Sequence, residues 1–166
     1  MERLRIATIV GVCGALAVII GTVLPWVTLT TPAQSYPDPS VGSIPAQSAT
    51  FNGLFAGNAV MMLLGIAVGI AAAWFWAGDQ PRKAVAVLGP VATAVVAFAI
   101  WAITAKGQVL GFGSTDTGET ASLRVGIYTT LAGGLLALLA AGFAFLVLVR
   151  PEDEPIDEPE IGVAGT

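Results

Sequence analysis

Histidine is absent from the chain, and cysteine occurs once, at Cys13. Without histidine the commonest metal ligand, the usual haem ligand and the usual general base at neutral pH are all missing. A single cysteine allows no disulfide within the chain and says nothing about redox compartment. Charge is scarce as well: 11% of residues are Asp, Glu, Lys or Arg, against about a quarter in an ordinary soluble domain. So few charges cannot keep a folded surface wet, and a mean hydropathy of +0.83 points to a lipid bilayer as solvent. Basic patches that would hold nucleic acid are missing too.

The charges present are unevenly placed. Glu152, Asp153, Glu154, Asp157, Glu158 and Glu160 crowd the last stretch, and removing those six acids from a net charge of −4 leaves the remainder at +2. The body is slightly basic and the tail strongly acidic.

What the chain has in abundance is long apolar runs. Four occur, at 6–27, 53–77, 84–105 and 125–149, and none contains Asp, Glu, Lys or Arg. At about 1.5 Å per residue each reaches ~33–38 Å as a helix, enough for a hydrocarbon core of about 30 Å. Backbone in hydrocarbon must satisfy its own hydrogen bonds, so each run is expected to be helical. The expected fold class is an all-α membrane protein: an antiparallel bundle of four transmembrane helices (1–150), a Pro-rich outer loop and a disordered acidic tail (151–166).

Lys and Arg set the direction. Arg3 and Arg5 precede the first span, Arg82 and Lys83 lie in the "GDQPRK" turn, and Arg150 closes the fourth span. These places share one side if all four runs cross; the other side has Lys106 and Arg124. The expectation is a multi-pass plasma-membrane protein with both termini cytoplasmic. Trp26 and Trp101 are expected at the outer interface and Trp74 and Trp76 at the inner one, since amphipathic rings favour the headgroup level.

The start of the chain admits another reading. "MERLR" followed by an apolar run, with "TTPA" as a cleavage site, fits a signal peptide. A signal h-region spans about 7–15 residues, and this longer run closes with Pro25 and Trp26 as a membrane span does, so a retained helix is expected. Cleavage would leave the other three spans in the same orientation. In "VGVC" a valine stands where a lipoprotein signal needs a small residue, so Cys13 is expected to be a buried small hydrophobe.

Helices in lipid associate through close packing of small residues. A 4-3-4-3 spacing of such residues gives one seam per span: Ala7, Gly11, Gly14, Val18 and Gly21 in the first; Asn58, Met62, Gly65, Gly69 and Ala72 in the second; Ala86, Pro90, Thr93 and Ala97 in the third; Gly126, Thr130, Gly133, Ala137, Ala140 and Ala144 in the fourth. The main expectation is packing within the bundle. The Gly65/Gly69 pair also forms a GxxxG, a pattern that joins separate chains. Pro90 removes a hydrogen bond to the Ala86 carbonyl and is expected to bend its helix, with the Thr93 hydroxyl as compensation.

The connecting segments carry little chemistry. Residues 28–52 hold Pro32, Pro37, Pro39 and Pro45 and repeat "PAQS"; the expectation is a loosely ordered connector, with Tyr36 and Phe51 as possible anchors. "GFGSTDTGET" lacks the Gly-Lys-Ser/Thr ending of a phosphate loop and the acidic spacing of a calcium loop. The Pro- and acid-rich tail has almost nothing to bury and serves either to solubilise the end or to dock a basic partner.

Ionisable residues within the bilayer normally mark proton paths, ion sites and catalysis, and the four runs have none. No Ser-His, Cys-His or paired-carboxylate arrangement can be assembled, and no cofactor or metal is expected. Polar groups in the spans include Asn58, Thr8, Thr22, Thr93, Thr104, Thr129 and Thr130, suited to hydrogen bonds between helices.

"LPW" closing the first span, a Pro/Ser/Thr outer loop, "FNGLFAG" opening the second and "LAGGLLALLAAG" in the last give a layout that resembles small four-helix integral membrane proteins of actinobacteria, a resemblance covering the body and not the tail. It implies a four-helix fold and no established activity. Animal claudin-type proteins share the helix count, but their Gly-Leu-Trp and paired-cysteine signature is missing here. The functional expectation is a non-enzymatic accessory, scaffold or assembly subunit whose partners are the bilayer and another membrane protein, in a hetero- or homo-oligomer. The alternative is a component of a small-molecule or lipid transporter or channel. A membrane enzyme would require Asp116 and Glu119 to meet a metal.

Overall fold

The computed structural model describes residues 2–35, 42–56, 59–77, 80–105 and 120–149. The chain is mostly helical, and four of its helices are long and apolar enough to cross a membrane. They are α1 (Glu2–Val23), α3 (Val60–Ala77), α4 (Pro81–Ala105) and α5 (Val125–Val149), with a single turn, α2 (Gly53–Ala56), ahead of α3. The tail and the segment 106–119, with Lys106, Asp116 and Glu119, lie outside the described residues, as do Tyr36, Asn58 and Arg150.

Local chemistry sets the helix ends. The Leu24 amide donates to the Ile20 carbonyl at 3.1 Å, and the next residue is Pro25, which has no amide proton to continue the ladder. α4 starts with Pro81, whose fixed φ suits the first helical position; the amides of Lys83 and Ala84 both turn back to the Gln80 carbonyl.

α1 and α4 each pack on both α3 and α5. Residue numbers run in opposite senses across these contacts: Gly11, Gly14 and Gly21 of α1 lie against Ala140, Gly133 and Thr130 of α5, and Ala15 and Val18 lie against Gly69 and Gly65 of α3. The interior is built mainly of small side chains, including Ala7, Ala15, Ala71, Ala72, Ala84, Ala92, Ala99, Ala137, Ala140 and Ala144. Large apolar groups such as Ile9, Leu63, Ile70, Leu139 and Leu146 point outward.

The all-α expectation is incomplete. Residues 25–31, 47–52 and 120–123 form a three-stranded antiparallel sheet, order β4-β1-β5, at the end of the bundle where α1 stops and α5 begins. Its strands are β1 (Pro25–Thr31), β4 (Gln47–Asn52) and β5 (Thr120–Leu123). A small hairpin pairs β2 (Gln34–Ser35) with β3 (Ser43–Ile44). The expected loose connector is therefore largely strand among its described residues. "WVTLTT" supplies the β-branched and aromatic side chains that suit a pleated surface, and the helix ends at Val23, short of the expected 27. Leu29 of the central strand pairs with Ala49 on one side and Ala121 on the other.

Candidate functional site

The most constructed place in the molecule is the joint between sheet and bundle, and Trp26 makes it. The β1–β4 register slips between Pro25 and Val27, so Trp26 is an extra residue on its strand. A bulge of this kind re-aims a side chain, and here the indole is fully buried. Its Nε1–H donates to the Gly21 carbonyl at 2.8 Å. In an uninterrupted helix that carbonyl would accept the amide of residue 25, which is proline. The indole thus restores the bond that the preceding proline removes.

Two glycines leave room for the ring. A Cβ on Gly53 would lie 2.5 Å from Trp26 Nε1, and one on Gly126 would lie 2.7 Å from Trp26 Cδ1 and from the Leu24 and Pro25 carbonyl oxygens. Phe98 of α4 completes the surroundings, its ring centroid 6.5 Å away. The Arg124 amide donates to the Trp26 carbonyl at 2.7 Å. α1, α2, α4 and α5 are all tied to the sheet through this one side chain.

Beyond the tryptophan, Thr28 gathers the three strands. Its hydroxyl lies 3.1 Å from that of Thr50 and accepts the Arg124 Nε–H at 2.9 Å, while the Ser122 hydroxyl donates to the Thr28 carbonyl at 3.3 Å.

Of the four tryptophans expected at the membrane interfaces, Trp26 does not fit: it is interior, with its polar edge spent on Gly21. Trp74, Trp76 and Trp101 are exposed, Trp76 at 80%, and Trp101 stacks at a tilt on Phe98. Gly11, Gly14, Gly126, Gly133 and Ala137 are buried on α1 and α5. Gly65 and Gly69 lie against Val18, Ile19 and Ala15 of α1, so the GxxxG faces a helix of its own chain. Cys13, expected inside, is exposed on α1.

Two further expectations are corrected. The third-span seam is inverted: Ala86, Pro90, Thr93 and Ala97 are exposed, because α4 turns Ala84, Leu88, Ala92, Val95, Ala99 and Ala102 inward. The threonines also do not bridge helices. Thr8, Thr22, Thr93, Thr129 and Thr130 each donate to the carbonyl four residues back, and Thr104 to those of Ile100 and Trp101. Thr93 reaches the Gly89 carbonyl at 2.8 Å, not that of Ala86. A hydroxyl beside its own helix finds a carbonyl one turn back at hydrogen-bond distance. Among the described residues, no three His, Cys, Asp or Glu side chains come together.

Sequence reasoning missed the Trp26 joint. Its signal was the "PW" pair at a helix end, with Gly53 and Gly126 opening the next elements at that same end. No protein-family model matches the chain, and no curated protein sequence matches it.

Proposed function

We propose that this chain is a non-enzymatic plasma-membrane protein that serves as an accessory, scaffold or assembly subunit of a larger membrane complex. In this reading the four helices cross as an antiparallel bundle, both termini are cytoplasmic and the sheet stands on the outer face. It fits the layout of the small actinobacterial four-helix membrane proteins that the sequence resembles. The observation that supports it is the sheet itself: an ordered platform, keyed into the bundle by a buried tryptophan. Its outer strands β4 and β5 have one strand neighbour each among the described residues. Edge strands offer backbone donors and acceptors to another chain.

A transport reading needs a polar lining between helices, and the described threonines turn their hydroxyls onto their own helices instead. Affinity isolation in mild detergent tests the proposal. A reproducible set of membrane partners, lost when the outer edge of β4 is altered by Ser48→Pro, is the expected result. A chain that repeatedly comes out alone overturns it.

A further inference from the structure

A groove of about 450 Å³ runs between the first turns of α4 and the last turns of α5. It is lined by Arg82, Val85, Ala86, Phe145, Leu148 and Val149. Five apolar side chains and one cation make an amphipathic slot, in the ~300–1,000 Å³ range of small-ligand sites. Arg5 and Lys83 are exposed at the same end of the bundle.

We infer that this groove holds an anionic phospholipid, one acyl chain against Ala86, Phe145 and Leu148 and the phosphate on Arg82. The inference rests on the membrane reading above, which puts this end in the cytoplasmic leaflet. Basic pockets between helices on that side suit acidic headgroups, whose leaflet supplies them. Ala86 matters because its small side chain, facing Phe145 and Leu148 across the groove, leaves the depth that a chain needs. Arg82 matters because it is the one cation among the lining residues, and a zwitterionic headgroup gains less from it.

The test uses the full-length protein in detergent, loaded with phosphatidylglycerol or with phosphatidylcholine of the same acyl composition. Retained lipid is counted by native mass spectrometry after gel filtration. Phosphatidylglycerol is expected to be retained in preference. Arg82→Gln is expected to lower that preference roughly fivefold, the size of one basic contact near a membrane surface, and Lys83→Gln, outside the groove, to lower it less. Ala86→Phe fills the slot and is expected to reduce retention of both lipids with helix content unchanged.

Equal retention of the two lipids by the unaltered protein overturns the inference. Equal losses from Arg82→Gln and Lys83→Gln also do so, because diffuse surface charge then accounts for binding. Should Ala86→Phe fail to fold, the arginine and lysine variants decide alone. Failure of the membrane reading shows separately, as release of the chain from carbonate-washed membranes.

Discussion

Gly14 and Gly133 meet backbone to backbone. A Cβ on Gly14 would stand 2.7 Å from the Gly133 carbonyl oxygen, and one on Gly133 would stand 2.6 Å from that of Gly14. Both distances are far inside van der Waals contact, and the obstacle is main chain, which cannot swing aside. Gly14→Ala and Gly133→Ala are each expected to destabilise the protein by about 1–3 kcal/mol, the usual range for overpacking. The double variant should fall short of the sum, since one separation of the helices relieves both clashes. Gly142, with open space where its Cβ would be, is the control: Gly142→Ala should be neutral or stabilise by up to ~1 kcal/mol through helix propensity. Thermal unfolding in a fixed detergent reads all four.

Trp26 separates packing from hydrogen bonding. Trp26→Phe keeps an aromatic ring but leaves the Gly21 carbonyl without its indole donor, a loss of about 1–3 kcal/mol for a buried group. Trp26→Ala removes the ring as well and should cost about 3–5 kcal/mol. Gly126→Ala puts a methyl against the indole and should resemble the packing loss. If the phenylalanine variant melts with the wild type, the indole N–H contributes nothing.

The sheet register can be checked chemically. With Cys13→Ser as background, cysteines at Leu29 and Ala49, paired partners in β1 and β4, should form a disulfide under mild oxidation, since paired strand positions lie within the roughly 4.4–6.8 Å Cα range that the bond requires. Cysteines at Leu29 and Gln47, two residues out of register, should not. Equal cross-linking of both pairs would mean a mobile connector in place of a sheet.

Cys13 reports on the lipid-facing surface. It is exposed midway along α1, and a thiol facing hydrocarbon cannot shed its proton to become the reactive thiolate, so in membranes neither a lipid-soluble nor a charged, impermeant maleimide should label it quickly; after denaturation in SDS both should react. Labelling by the charged reagent in intact membranes would place this helix face in water.

Topology follows from the same reagents. In the Cys13→Ser background, Ser48→Cys should react with the impermeant maleimide in intact cells, and Lys83→Cys only after permeabilisation. Reaction of both in intact cells would overturn the proposed orientation.

The four helices were legible because an uninterrupted apolar run has one way to satisfy its backbone in lipid. Their facing was legible only in part. On α5 the small residues form one stripe, and Gly126, Thr130, Gly133, Ala137, Ala140 and Ala144 are buried. On α4 small residues occupy both sides, so spacing alone could not tell the Ala84–Ala92–Ala99 face from the Ala86–Thr93–Ala97 face. The sheet was hidden for a different reason. β1 continues an apolar run without a polar break, and β4 is a Ser/Thr/Gln-containing stretch; each becomes a strand only through its partner. Trp26 read as an interfacial ring because a "PW" pair closing an apolar run fits a membrane interface as well as it fits a bulge.

The order of the strands also sets an order of events. Thr28 pairs with Thr50 nearby, but the hydrogen bonds that Ser122 and Arg124 make to it span 94 and 96 residues. Translation delivers two strands early and the third only as the last helix begins. The sheet is consequently unfinished until α5 begins, and any protein that docks on its completed form distinguishes a full-length chain from a truncated one.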